Sequence, residues 1–261
     1  MRATYVDARA RRRATSTAGI CRLDDRGGWR AVGGGVCLRL AGRAFVLSTG
    51  RVLIPSGQPL WLGGRHAVVP LVGAAVLADG PGAPPEIATL DAAFGLLAAG
   101  DADALAGDVE FLSLADVDLH HGAADDVYYA VAAPSLTASA ADGPSVGADI
   151  VRLRQAPFTE YRRHGVVSAT HLVLRPVPTE GPAVEPSGRA GNRWPVERWR
   201  GCGVWRASSA RGGDPLAGIV IDAGGGAQPW IVATRPCFTV LGIMGCLNAG
   251  LPEPATGQRP N

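Results

Sequence analysis

Residues that could carry nucleophilic chemistry are few and widely spaced in this sequence. Cys202 stands between two glycines, Asp91 precedes the apolar run of residues 92–97, and five histidines are scattered along the chain. A thiol attacks as its thiolate, which needs a nearby base, and a carboxylate can orient a histidine that serves as this base. All 25 basic residues are arginine, so mechanisms that need a lysine, such as a Schiff base, are excluded.

The composition favours a chain of short strands over a helical protein. Of 261 residues, 47% are hydrophobic and 18% are charged, which is enough for one large domain or two small ones with a hydrophobic core. The 36 glycines and 20 prolines interrupt helices and mark turns. The net charge of +2 excludes a generally cationic surface that would coat nucleic acid.

Short apolar runs recur at near-regular spacing from Trp29 onward. Val36–Leu40 and Ala44–Leu47 form a predicted hairpin around the turn Ala41-Gly42-Arg43, and Phe238–Leu251 is a predicted terminal helix. The other predicted strands share short length and flanking turn residues: Leu60–Leu62, Ala67–Val72, Ala92–Leu97, Val127–Ala133, Ile150–Arg154, Val166–Leu174, Leu216–Ile221 and Trp230–Ala233. This pattern predicts an all-β sandwich or a pair of barrels.

Charge and composition divide the chain into three parts. Residues 1–28 are predicted to be a flexible basic arm, residues 29–125 an N-terminal β-domain with an acidic connection, and residues 126–261 a C-terminal β-domain with the terminal helix. The net charge is +9 over residues 1–65, −13 over residues 66–151 and +6 over the remainder. Such blocks either neutralise each other within the fold or lie on separate faces that bind different partners. We expect them to neutralise each other within the fold.

No cofactor is predicted. The odd number of cysteines includes no CxxC pair, so zinc and redox motifs lack support, and the cysteines are interpreted as buried thiols. His120 and His121 could bind a metal weakly together with the neighbouring carboxylates Asp116, Asp118, Asp125 and Asp126, but a solvated loop explains them as well. His171, which lies within a predicted strand, is interpreted as structural or exposed.

The N-terminus is polar and rich in arginine. No apolar stretch follows Met1–Arg13, so we predict neither a signal peptide nor a membrane-spanning segment, and we expect a cytoplasmic protein. A transit peptide is the alternative, because the first 20 residues are rich in Arg, Ser, Thr and Ala.

Four segments, in order, resemble the bacterial trypsin-like serine peptidases of the chymotrypsin fold. Gly33–Ile54 resembles the glycine-rich hairpin and the corner that carries the catalytic histidine, and Asp91–Leu97 resembles the segment that supplies the aspartate. Trp199–Trp205 and Leu216–Val220 are similar to the nucleophile strand and the strand after it, and Val127–Ser135 to the first strand of the second barrel. The resemblance implies two six-stranded antiparallel β-barrels with a short C-terminal helix.

The sequence departs from this family at the catalytic positions. Arg51 stands where the resemblance places the histidine, while Asp91 is retained. Alignment on the flanking residues puts Arg200 at the serine position, and a shift of two residues puts Cys202 there instead. A guanidinium has no lone pair to accept a proton, so Arg51 cannot act as a general base. We expect Arg51 to pair with Asp91, because a buried carboxylate needs a counter-ion.

These departures predict an inactive peptidase homologue that acts as a binding or regulatory module. The arginines should favour a protein or peptide partner with acidic groups. One alternative is an active cysteine peptidase with Cys202 as nucleophile and His66 or His171 as a relocated base. Another is a binder of acidic partners or nucleic acid through the arginine run of residues 11–13, although the small net charge argues against nucleic acid.

Overall fold

The computed structural model describes residues 10, 13–25, 27–54, 59–64, 67–71, 73–77, 90–119, 126–132, 150–177, 196–208, 213–225 and 228–250. Over these residues, most of the chain lies in antiparallel strands that form two sheets. Each sheet draws its strands from one half of the chain.

The N-terminal sheet has the strand order β5-β4-β1-β2-β3-β7-β6. Its seven strands are β1 (Thr17–Leu23), β2 (Trp29–Leu40), β3 (Arg43–Thr49), β4 (Trp61–Gly63), β5 (Val68–Pro70), β6 (Gly73–Leu77) and β7 (Ala92–Leu96). The two outermost strands, β5 and β6, are separated by only two residues of the chain. The sheet therefore curves back toward itself as an incomplete barrel, with one strand more than the predicted six.

The C-terminal sheet is a closed barrel of six strands, as predicted. Its strands are β8 (Val127–Val131), β9 (Ile150–Gln155), β10 (His171–Pro176), β11 (Gly203–Arg206), β12 (Leu216–Gly224) and β13 (Trp230–Thr234). The ladder runs β10-β13-β12-β11-β8-β9 and closes where β9 pairs with β10. Closure leaves no unpaired strand edge in this barrel.

Short helices connect the strands. They are α1 (Gly50–Leu53), α2 (Ala99–Leu105), a 3-10 turn (Leu114–Asp116), α3 (Phe158–Arg163), α4 (Val196–Trp199) and the terminal α5 (Pro236–Asn248). The predicted terminal helix is confirmed, and it begins at a proline in its first turn, where the missing N–H costs no helical hydrogen bond. Among the described residues, no helix combines the length and the apolar character needed to cross a bilayer.

The hairpin between β2 and β3 forms as the turn residues predict. Leu40 pairs with Arg43, and Ala41 and Gly42 have φ angles of +49° and +74°. Two successive positive φ angles define the two-residue turn whose twist suits an antiparallel hairpin, and Gly42 supplies the second of them without strain.

One hydrophobic cluster joins the two sheets. Phe45 and Leu47 of β3 pack with Trp205 of β11 and Ile219 of β12, and Phe45 meets Phe94 edge to face at 5.9 Å. The terminal helix covers this cluster with Val240 and Ile243. Both sheets contribute side chains to this cluster, so each sheet depends on the other for this part of its hydrophobic core.

The predicted flexible arm is wrong for residues 17–23. These residues form β1, which pairs with both β2 and β4 inside the N-terminal sheet, and its first five residues are buried. The strand signal is weak because Gly19 lacks a side chain and both faces are covered, so the sequence shows no alternation. Arg13 is also buried, with its guanidinium 5.3 Å from the ring of Trp205. Arg11 and Arg12 lie outside the described residues.

Ion pairs connect the acidic middle of the chain to both basic flanks. Arg13 contacts Asp116 at 3.0 Å, and Arg206 contacts Asp118 at 2.9 Å and Asp126 at 3.3 Å. The expectation that the charge blocks neutralise each other within the fold therefore holds for these residues.

We predict that Arg206→Gln lowers the free energy of unfolding by about 2 kcal/mol, because it leaves the buried carboxylate of Asp118 without its guanidinium partner. Arg162→Gln, at an exposed arginine of α3 with no carboxylate partner, should change it by less than about 0.5 kcal/mol. Urea denaturation of both variants checks this, and equal effects would contradict it.

Candidate functional site

A corner between β3 and α1 carries Arg51. Thr49 caps this short helix, and its hydroxyl oxygen accepts a hydrogen bond from the backbone N–H of Val52 at 3.3 Å. The backbone N–H of Gly50 donates to the carbonyl oxygen of Asp91 at 3.1 Å, which ties the corner to the start of β7. The Arg51 side chain is 65% exposed. The corner thus presents a cation to solvent while its backbone is held firmly.

Asp91 lies beside this corner in a strained backbone conformation. Its φ angle is +41°, in the left-handed region that aspartate tolerates better than most residues. Its Oδ1 atom accepts the backbone N–H of Arg51 at 3.1 Å, and its Oδ2 atom lies 3.5 Å from Arg51 Nε. The structure therefore brings Arg51 and Asp91 together as an ion pair.

The carboxylate of Asp91 is only partly compensated. Its Oδ2 atom is buried and accepts no hydrogen bond. Burial raises the pKa of Asp91, while the backbone N–H of Arg51 and the positive charges of Arg51 and Arg200 lower it by less. The desolvation cost is the largest of these effects, so the folded state favours the protonated carboxyl more than water does.

Arg200 joins this pair from the C-terminal barrel. It follows α4, and its carbonyl oxygen accepts the backbone N–H of Gly34 of β2 at 2.8 Å. Its Nε donates to the carbonyl oxygen of Ile221 at 3.3 Å, and its Nη2 lies 3.9 Å from Asp222. The three residues that the resemblance assigns to the triad positions therefore lie around the junction of the two sheets.

The backbones of the two sheets approach closely at Gly201. This residue has a φ angle of +80°, and a Cβ atom there would overlap the carbonyl oxygen of Gly34 and the hydroxyl of Ser48. The Ser48 hydroxyl itself donates to the Gly34 carbonyl at 2.7 Å. Only glycine satisfies both the backbone angle and the lack of space at this position.

The backbone N–H groups of residues 200–202 are all used within the fold. Arg200 donates to the carbonyl of Val196 at 2.8 Å, Gly201 to Val220 at 2.7 Å and Cys202 to Trp199 at 3.0 Å. The first of these bonds continues α4, a helix that we did not predict. Pro195 followed by Glu197 is the sequence signal for a helix start that could have indicated it.

The Cys202 side chain points into the protein. It is fully buried, and its Sγ atom donates to the carbonyl of Arg198 at 3.4 Å. Of the two residues that the alignment frames place at the serine position, Cys202 is buried, whereas Arg200 carries a positive charge that acts on the Asp91 carboxylate. All five cysteines are free thiols, and burial raises the pKa of both Cys21 and Cys37 to about 12.

The structure describes two of the five histidines, His164 and His171. His171 is buried on β10, with its Nδ1 atom 2.7 Å from the Thr170 hydroxyl, and two strands of the barrel separate β10 from β11. His164 lies against Trp230, with ring centroids 4.4 Å apart, and burial lowers its pKa. His66, His120 and His121 lie outside the described residues.

The carboxylates considered for a metal site have other partners. Asp118 and Asp126 both contact Arg206, and Asp116 contacts Arg13. Asp125 lies outside the described residues. Within the part of the chain that the structure describes, no three histidine, cysteine or carboxylate side chains are grouped to hold a metal ion.

Comparison with solved structures agrees with this architecture. The structure titled "Structure of GrC", a granzyme of the chymotrypsin fold, superposes with a TM-score of 0.53 at 14% identity over 90% of this chain and 95% of that chain. The fold is trypsin-like. No family model matches the sequence, and no curated protein matches it either. The comparison therefore confirms the fold class predicted from the four segments. At this sequence identity it shows the fold alone.

We predict that Gly201→Ala lowers the free energy of unfolding by about 3 kcal/mol or more, because its Cβ would force the two sheets apart. Gly42→Ala is a matched control with a similar φ angle of +74° and open space around the new Cβ, and should cost about 1 kcal/mol. Thermal and urea denaturation measure both. Equal losses of unfolding free energy in the two variants would show that the cost at Gly201 comes from backbone strain alone and not from the close approach of the two sheets.

A second prediction concerns the pH dependence of stability. The pKa of Asp91 is raised by burial, so the stability that its protonated form contributes at low pH is lost as the pH rises through the folded-state pKa. Asp91→Asn lacks this titration. We expect the free energy of unfolding of Asp91→Asn, relative to the native chain, to increase between about pH 3 and about pH 7. A decrease would show that the two arginines outweigh burial.

Proposed function

We propose that this trypsin-like chain does not hydrolyse peptides and acts as a binding module, whose cleft takes acidic groups of a protein or peptide partner. The observation that carries the proposal is the guanidinium of Arg51 beside the carboxylate of Asp91. In a serine peptidase this carboxylate orients an imidazole that accepts the proton of the nucleophile. A guanidinium remains protonated at any working pH and has no acceptor lone pair.

The nucleophile position supports the same conclusion. Arg200 has no hydroxyl or thiol that could attack a carbonyl carbon. Acyl transfer also needs N–H donors aimed at the developing oxyanion, and the N–H of the nucleophile residue itself is one of them in trypsin-like peptidases. Here that N–H donates to the carbonyl of Val196. Proton acceptor, nucleophile and one oxyanion donor are therefore all missing from the arrangement.

The same residues are suited to binding carboxylates. Arg51 contacts Asp91 through Nε, and its two Nη groups donate no hydrogen bond to any described residue. The planar edge of a guanidinium can hold a carboxylate with two parallel hydrogen bonds. The contact of Arg200 with the half-exposed Asp222 is long, at 3.9 Å, so a ligand carboxylate could compete with it at little cost.

The alternatives from the sequence receive less support. An active cysteine peptidase would need the Cys202 thiol in the cleft, yet this side chain is fully buried. A binder that uses the N-terminal arginine run would need Arg13 to be available, yet Arg13 is buried and paired with Asp116.

Activity assays test the loss of catalysis. We expect the purified chain to show no turnover of peptide or ester substrates and no labelling by fluorophosphonate or chloromethyl ketone probes. Labelling of the native chain that disappears in Cys202→Ala would overturn the proposal, because it would make the buried thiol a nucleophile.

Calorimetric titration tests the binding role. Peptides ending in a free carboxylate and carrying glutamate should bind, while amidated peptides with glutamine in place of glutamate should not. Arg51→Gln should weaken binding about tenfold through the loss of a charge-assisted contact. Arg39→Gln is the control, since Arg39 is also exposed but lies at the other end of the β2–β3 hairpin. Equal affinity for both peptide types would contradict an acidic ligand.

A further inference from the structure

The outer face of α3 exposes an aromatic ring next to two arginines. Phe158 is 69% exposed, and Arg162 and Arg163 are exposed on the following turn. Arg154, at the end of β9 four residues before Phe158, is also exposed. We refer to these four residues as the α3 surface. Phenylalanine is costly to leave in water, and arginine beside an aromatic ring is the composition found at the energetic centres of protein interfaces.

The inner face of α3 is fixed by polar contacts. Arg175 of β10 holds Glu160 through Nε at 2.8 Å and Nη2 at 2.6 Å, and Gln155 donates to the Tyr161 hydroxyl at 2.9 Å. The Phe158 ring lies against Tyr161, with centroids 5.8 Å apart. A surface held in this way is preorganised, so a partner would lose little conformational entropy of the helix on binding.

The charge of the α3 surface is not balanced by the residues that the structure describes. Elsewhere, Arg13, Arg51 and Arg206 each face a carboxylate of the acidic middle of the chain. In contrast, none of the three arginines of the α3 surface forms an ion pair with a described residue. The one acidic residue of α3, Glu160, is already neutralised by Arg175. Two exposed arginines on α3 and one at the end of β9 therefore have no carboxylate partner among the described residues.

We propose that the α3 surface docks an acidic segment of a partner protein that carries an apolar side chain between its carboxylates. The apolar side chain would cover Phe158, and the carboxylates would pair with the guanidinium groups of Arg162, Arg163 and Arg154. Nucleic acid fits less well, because three arginines around one ring form a patch instead of a track along a phosphate backbone, and the net charge of the chain is only +2.

The test uses a fluorescein-labelled acetylated peptide that alternates pairs of glutamate with leucine, titrated into the full chain and followed by fluorescence polarisation. We expect saturable binding that is lost when glutamine replaces glutamate or alanine replaces leucine in the peptide. Phe158→Ala, and the double variant Arg162→Gln with Arg163→Gln, should each weaken binding about tenfold. Because these side chains are exposed, the variants should unfold at the same denaturant concentration as the native chain.

Two further measurements distinguish binding at the α3 surface from binding at the cleft and from binding of nucleic acid. Arg39→Gln, at an exposed arginine of the N-terminal sheet, should leave binding of this peptide unchanged, whereas a loss of binding in Arg51→Gln with none in the Phe158 and α3 arginine variants would place the peptide in the cleft and overturn the proposal. Single-stranded oligodeoxythymidylate should not compete. If the oligonucleotide competes at a lower concentration than the unlabelled peptide, the site is a nucleic-acid site. If the Phe158 and arginine variants bind the peptide with unchanged affinity, the α3 surface is not its binding site and the proposal is wrong.

Discussion

A partly buried carboxylate at the junction of the two sheets determines the electrostatics of the cleft. Asp91 is held there by the backbone of the α1 corner, with one carboxylate oxygen buried and without a hydrogen bond. Removing a carboxylate from water is costly unless opposite charges and donors surround it. Arg51 supplies a backbone N–H and a guanidinium, and Arg200 supplies a second positive charge. The carboxylate is thereby tolerated without an imidazole, and this part of the fold no longer depends on catalytic geometry.

The junction also determines how closely the backbones of the two sheets pack. The backbone N–H of Gly34 donates to the carbonyl of Arg200 and holds β2 against the segment after α4. The Gly34 carbonyl and the Ser48 hydroxyl then lie so close to position 201 that it requires glycine. The backbone N–H of Arg200 is already used in a hydrogen bond to the carbonyl of Val196, within the turn of α4. A single substitution of Arg51 by histidine would therefore restore a base but neither a nucleophile nor the oxyanion donor. This is why we assign the cleft to binding and not to a slow or conditional hydrolysis.

The sequence allowed the second barrel, the β2–β3 hairpin and the terminal helix to be predicted, since each has strong local signals such as the positive-φ pair Ala41-Gly42. It failed where tertiary burial overrides pattern. β1 contains Gly19 and lacks alternation, and residues 166–170 of the predicted strand Val166–Leu174 form turns before β10 begins at His171. The choice between Arg200 and Cys202 at the nucleophile position could not be made from spacing, because both have glycine neighbours. Side-chain burial distinguishes them, and burial depends on which barrel wall each residue faces.

The arginines of this chain divide into two groups by what surrounds them. Arg13 and Arg206 are largely withdrawn from solvent and tie the basic flanks to the acidic middle, so they contribute to the fold and are not available to a partner. Arg51 keeps most of its side chain in solvent, and Arg162 and Arg163 have no carboxylate partner among the described residues. Internal pairing thus cancels much of the charge of this chain and leaves a few guanidinium groups exposed at defined places, where the proposed acidic ligands would bind. Specificity for such ligands then depends on the position of these groups, not on the net charge.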